Sequence, residues 1–167
     1  LQPHQQLRVI ARSEVHTSEK FVDEQLELSP LDQYDYLKPT DYAPEHELVH
    51  QLAEVNVVVG NKIATAFALM TAVHQALQYE RGATSVKTTA DEALQIGKGV
   101  CQDYAHVMLA CCRLSGLPAR YVSGYLYSPN APEMASHAWV DVFVTDYGWR
   151  SLDPTRNWPQ DARYVRV

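Results

Sequence analysis

Apolar positions change their spacing along the chain, and each spacing predicts a different element. Between Leu7 and Leu28, a short alternation (Leu7, Val9, Ala11) and a second apolar group (Phe21, Val22, Leu26, Leu28) predict one or two strands. Ser29 to Pro44 carries Pro30, Pro39 and Pro44 among Asp and Tyr residues and reads as an extended connector. Pro44 stands at or near the first position of a helix, where its missing amide costs nothing. From Glu45 to Val59, Leu48, Leu52, Val55 and Val59 recur at helical spacing. After Gly60 and Asn61, a second helical stripe runs through Ile63, Phe67, Met70, Val73 and Leu77.

The next signals are local. Thr89-Ala-Asp-Glu92 is a capping-box pattern and starts a short helix that runs to Ile96 and stops at Gly97. Val100 to Ser115 contains no Pro or Gly and is followed by Gly116, Leu117 and Pro118, a helix stop. This places Cys101 in the first turn of a helix. Strand-like runs follow at Ala119–Tyr127, His137–Val144 and Trp149–Leu152, and Asp146-Tyr-Gly148 predicts a hairpin between the last two. In the His137 strand, Ala138, Val140, Val142 and Val144 share the face expected to meet the core, while His137, Trp139, Asp141 and Phe143 share the other. The division expected is an N-terminal β or extended segment over 1–43 and a core over 44–167.

Composition narrows the class of protein. The 167 residues are 46% hydrophobic and 20% charged, ordinary values for a globular domain, and the formal charge is -6. No dense Lys/Arg block exists to neutralise phosphates, so nucleic acid is not an expected partner. The apolar runs fall short of the roughly 20 residues needed to span a bilayer, so no membrane partner is expected either. The three cysteines, Cys101 and the adjacent Cys111 and Cys112, lack the spacing of a disulfide framework or a zinc knuckle. They fit a reducing, cytoplasmic setting with no metal and no cofactor.

Cys101 has the placement a nucleophile needs. Unpaired amides and the macrodipole at a helix start favour a thiolate. Gly97-Lys-Gly99 lets backbone approach a substrate, and the Cys101 amide is available to an oxyanion. His137 opens one strand of the predicted hairpin and Asp153 closes the other, so both fall at its open end as candidate general base and orienting carboxylate. His106 lies five residues, about 500°, after Cys101 on the same helix and points to another face. His46, His50 and His74 read as helix-surface residues. Cys111 and Cys112 fall mid-helix among apolar neighbours, where core packing is expected. Asp103 reads as a charge complementing the helix dipole or as a rim residue, and Trp139 and Trp149 as an aromatic pair across the hairpin.

Four motifs, in order, resemble the core of the transglutaminase-like superfamily in its bacterial branch: Gly99-Val-Cys-Gln-Asp-Tyr-Ala105, Leu117-Pro-Ala-Arg-Tyr-Val-Ser-Gly-Tyr125, Ser136-His-Ala-Trp-Val140 and Gly148-Trp-Arg-Ser-Leu-Asp-Pro-Thr155. The resemblance spans roughly Ile63 to Asn157. It implies an α+β, papain-like fold, with helices packed on an antiparallel sheet and the nucleophile at a helix N-terminus. It also implies acyl transfer through a thioester, with Cys101, His137 and Asp153 as nucleophile, general base/acid and orienting carboxylate. The upstream Trp that stabilises the oxyanion in animal members has no counterpart before Trp139. The bacterial branch commonly has a Tyr there, and Tyr79 fits that place. Gly99, Gln102 and Trp139 are further candidates on the oxyanion and substrate side. Nothing matches the calcium segments of animal members.

Family-level analogy favours hydrolysis of peptide or glutamine-type amides, by a peptidase or deamidase acting on a peptide or protein substrate. The alternatives are protein-glutamine cross-linking, a noncatalytic interaction module that keeps the fold, and another acyltransferase with the same three residues. Arg163-Tyr-Val-Arg-Val167 reads as a strand cut in mid-course, and relatives in the bacterial branch extend beyond it, so a partial chain is expected.

Overall fold

The computed structural model describes Arg8, Ile10 and residues 12–18, 27–129 and 136–167. Of the apolar positions that predict strands between Leu7 and Leu28, all but Leu28 lie outside the described residues, and the described residues between them form no strand. Leu28 itself is in no strand and is buried against Phe143 and Trp149.

The expected connector holds a helix instead, α1 (Pro30–Leu37). The Ser29 hydroxyl accepts from the Asp32 amide at 3.2 Å, and Pro30 occupies the first turn. Tyr36 of this helix meets Trp149 edge-on at 5.0 Å. The next helix, α2 (Glu47–Glu54), begins later than Pro44 and ends earlier than Val59. Its buried side chains are Val49 and Ala53 rather than the expected stripe, and Val55 and Val59 are 80% and 94% exposed. The run Val57-Val-Val59 propagates a helix poorly because branched Cβ atoms crowd the preceding turn. Asn56 Nδ2 donates to the Leu52 carbonyl at 2.8 Å, satisfying a carbonyl of the last turn.

Helix α3 (Lys62–Ala76) starts where expected, with Asn61 Oδ1 accepting from the Ala64 amide at 3.0 Å. Met70, Val73 and Leu77 face the core together with Ala66 and Leu69, while Phe67 stays partly exposed. After β1 (Gln78–Tyr79), helix α4 (Ala90–Ile96) has both bonds of the capping box, Thr89 with Glu92, and ends at Gly97 with φ 70°. Strand β2 (Lys98–Gly99) then pairs in parallel with β1.

Helix α5 (Cys101–Leu114) is the centre of the molecule, buried from Asp103 through Cys112. It closes as predicted at Gly116, φ 69°, with the Leu117 amide reaching back to the Cys112 carbonyl. The five-stranded antiparallel sheet β6-β5-β4-β3-β7 follows: β3 (Ala119–Leu126), β4 (Ser136–Val144), β5 (Gly148–Asp153), β6 (Trp158–Pro159) and β7 (Tyr164–Arg166). Ala138, Val140, Val142 and Val144 join the core formed with α2, α3 and α5, as the alternation predicted. Each such buried valine contributes about 1.5–3 kcal/mol. The other face of β4 is buried too, and Asp141 on it is held by Arg120, Arg166 and Ser151.

Candidate active site

Cys101 opens α5 because the chain before it is tied down bond by bond. Gln78 and Glu80 amides donate to the Gly97 and Gly99 carbonyls at 2.9 and 3.0 Å, fixing the segment between α4 and α5 to the end of α3. The Val100 amide donates to Asp103 Oδ2 at 2.7 Å, and the Thr84 hydroxyl donates to the same oxygen at 2.6 Å. Asp103 is 1% exposed, so it is a buried helix cap and not the rim residue that was one of its expected places. Gly99 makes room for this cap, since a Cβ there would stand 2.7 Å from Asp103 Cβ and Oδ2. The amides of Cys101 and Gln102 belong to the first turn, have no intrahelical carbonyl to bond, and favour negative charge beside them.

His137 is half-buried at the start of β4, opposite Gly124 of β3. Its Nε2 lies 2.6 Å from Asp153 Oδ2, and Cys101 stands near enough to act on the same imidazole. Burial opposes a charge on the imidazole. The hydrogen bond to Asp153, the nearby Cys101 and the charges of both outweigh it and push His137 up to about 9. Raised that far, the imidazole favours its protonated form at neutral pH, and an imidazolium is the partner a thiolate requires.

Asp153 is fully buried, and four donors reach it. Oδ2 accepts from His137 and from the Tyr164 hydroxyl at 2.8 Å, and Oδ1 accepts from the Thr155 and Arg156 amides at 2.9 and 3.3 Å. The turn after Asp153 is anchored on α3: His74 Nδ1 is 3.1 Å from the Pro154 carbonyl, and Thr71 donates to Asn157 at 3.0 Å. His74 is thus a half-buried support and not the surface residue expected.

The structure brings His137 and Asp153 into direct contact, with Cys101 near the same imidazole. Tyr79 sits beside Gly99 in the β1–β2 register, half exposed. The Gln102 side chain donates to the Val86 carbonyl at 3.3 Å. Trp139 is fully buried, 6.2 Å from the His137 ring and edge-on to Tyr164 at 5.3 Å, so it walls the imidazole from behind and offers no surface to a substrate. It does not pair with Trp149, whose cross-strand partner is Phe143. His106 is buried between Tyr42 and Tyr121, and burial lowers it despite the nearby Asp103 charge. Cys111 and Cys112 are both buried, and burial raises both thiols, Cys111 to about 12. Among the described residues, no group of three or more His, Cys, Asp or Glu side chains is arranged to hold a metal ion. Sequence reasoning missed Tyr164, Thr84 and the capping role of Asp103. Only the last had a signal, an acidic residue at the third position of a helix.

The profile of the transglutaminase-like superfamily core matches residues 50–154. The chain belongs to this superfamily. The transglutaminase-like chain is 33% identical to an uncharacterized protein of Mycobacterium leprae, over 99% of its own length and 63% of that protein. It is 36% identical to an uncharacterized protein of Mycobacterium tuberculosis, over 80% of itself and 41% of that protein, so it spans less than two-thirds of the length of either relative. Over 53% of its length it is 32% identical to a protein-glutamine gamma-glutamyltransferase of Pseudomonas aeruginosa, covering 15% of that protein. Among solved structures, it superposes with a TM-score of 0.71 and 27% identity on a proposed cysteine protease from Cytophaga hutchinsonii, over 86% of this chain and 50% of that one. The periplasmic domain of TgpA from Pseudomonas aeruginosa, solved with ethylmercury bound, gives 0.60 and 25%, over 80% of this chain and 51% of that one. The papain-like transglutaminase-core fold, helices on a curled antiparallel sheet, is common to these neighbours and to this transglutaminase-like domain.

Proposed function

We propose that this domain is a cysteine hydrolase that cleaves peptide or glutamine-type amides through a thioester on Cys101. The observation that supports this most is the 2.6 Å bond from His137 to a fully buried Asp153 carboxylate, with Cys101 of the α5 start beside the same imidazole. The thiolate attacks the amide carbonyl carbon, and the Cys101 amide stabilises the oxyanion, with Tyr79 the candidate second donor. His137 passes its proton to the departing nitrogen as the C–N bond breaks, leaving a thioester and a neutral imidazole. Water then gives a proton to His137 and adds to the thioester carbon. The C–S bond breaks, and the thiolate–imidazolium pair returns.

A second reading, transfer of the acyl group to a primary amine, is favoured by the likeness to the Pseudomonas aeruginosa gamma-glutamyltransferase. The same thioester serves both, and only the acceptor differs. Glutamine peptides should be incubated with the protein while ammonia, new peptide termini and incorporation of a fluorescent amine are followed together. Hydrolysis predicts ammonia or new termini that disappear in Cys101→Ala, with little amine incorporated. Amine incorporation outpacing ammonia release would replace hydrolysis by transfer, and turnover that persists in Cys101→Ala would overturn both.

A further inference from the structure

Asp153 Oδ2 is shared. It accepts from His137 Nε2 at 2.6 Å and from the Tyr164 hydroxyl at 2.8 Å, inside a site where the carboxylate is fully buried and Tyr164 is 3% exposed. Tyr164 comes from β7, the strand at the far edge of the sheet beyond β3, and reaches its partner across β3 and β4. The reach is built in. Gly124 pairs with His137 on one side and with Arg166 on the other, and a Cβ on it would stand 2.0 Å from the Val165 carbonyl oxygen and 2.8 Å from Trp139. The bare glycine lets β7 close on β3, so that the Tyr164 ring packs on Trp139 at 5.3 Å and lies 6.1 Å from His137.

We propose that Tyr164 is a positioning residue of the Cys101 site, whose hydroxyl fixes Asp153 Oδ2 toward His137 and takes up part of the carboxylate's charge, setting how tightly the imidazolium is held. This rests on the reading of Cys101, His137 and Asp153 as the reacting group. The chemistry is that of a shared acceptor: a second donor on one oxygen weakens what that oxygen offers the first. Tyr164 is itself a secure donor, since burial and then the Asp153 charge raise its hydroxyl above the ordinary tyrosine range. The other groups facing the pair are few. Cys101 faces His137 from α5, and Arg156 and Asp161 act on Tyr164 from the turns on either side of β6. None of these changes in the variants below.

The test is the titration of His137 by proton NMR on the full chain, its imidazole signal assigned by its loss in His137→Ala. In Tyr164→Phe, Oδ2 is left to His137 alone, and the midpoint should rise by roughly half to one pH unit. Site-specific replacement of Tyr164 by a difluorotyrosine keeps the shape and makes the hydroxyl a stronger donor, so the midpoint should fall. Opposite movement in the two proteins supports the role, and the second protein alone decides by its direction if Tyr164→Phe does not fold. A midpoint that stays put in both, with only thermal stability altered, would reduce Tyr164 to a packing residue. Iodoacetamide labelling of wild type separates this from the reading beneath it. If Cys101 labels slowly and independently of His137, the proposed function fails whatever Tyr164 does.

Discussion

Asp153 meets His137 diagonally and not face to face. The β4–β5 register sets Val140 opposite Leu152, which carried one step further would put Asp153 opposite Trp139, two residues along from His137 on the same face. Diagonal neighbours in an antiparallel pair are about 7–8 Å apart at Cα, within reach of a His and an Asp side chain. The offset leaves the directly opposed place to Trp139, which fills the space behind both side chains.

Asparagine should not replace Asp153. Both carboxylate oxygens accept from two donors each, so an amide NH2 would face either the Thr155 and Arg156 amides or His137 and Tyr164. Asp153→Asn should lose about 1–3 kcal/mol in urea unfolding and slow alkylation of Cys101 by about tenfold or more. Retention of both wild-type values would remove Asp153 from the site.

The pH dependence of stability has a fixed sign. His137 is raised in the folded protein, from an ordinary 6.5 to about 9. Its contribution is therefore complete below about 6.5 and is lost as pH rises through about 9. Unfolding free energy measured in urea should decline across that window, and the decline should shrink in His137→Ala.

A methyl group on Gly124 has nowhere to go, with the Val165 carbonyl 2.0 Å and the Trp139 ring 2.8 Å from its place. Gly124→Ala should cost about 1–3 kcal/mol and, by pushing β7 or β4 aside, slow Cys101 labelling as well. Wild-type labelling in a destabilised Gly124→Ala protein would mean that the sheet edge does not position the site.

At the start of α5, Asp103→Ala removes the acceptor of both the Val100 amide and the Thr84 hydroxyl. The cost should be about 1–3 kcal/mol. Asp103→Asn keeps one acceptor oxygen and should cost less. Equal losses in the two, read from urea midpoints, would point to lost packing rather than lost capping.

Much of this arrangement is legible in the sequence where a local rule and the fold agree. Thr89 with Glu92, Gly97 and Gly116 mark their helix ends without help from the rest of the chain, and these fix the place of Cys101. The Ser29 cap followed by Pro30 is also a helix start, but three prolines within sixteen residues mask it. Val55 and Val59 continue a helical spacing that the chain does not follow, because the β-branched run resists the helix and, among the described residues, little covers Val55 or Val59. His74 and Tyr164 carry no sequence signal for their roles. Their partners, Pro154 and Asp153, are brought to them by the packing of α3 and the closing of β7.

Alkylation of the native protein with iodoacetamide at pH 6, followed by intact mass, tests the pairing of Cys101 with His137 most directly. An unperturbed thiol is almost wholly protonated at that pH. Cys111 and Cys112 are buried, and burial raises both. The expected result is a single label, on Cys101, added about tenfold faster than to a free cysteine and slowed to the free-cysteine rate or below in His137→Ala. Slow labelling of all three cysteines at similar rates, the same in both proteins, would contradict the pairing and the enzyme reading with it.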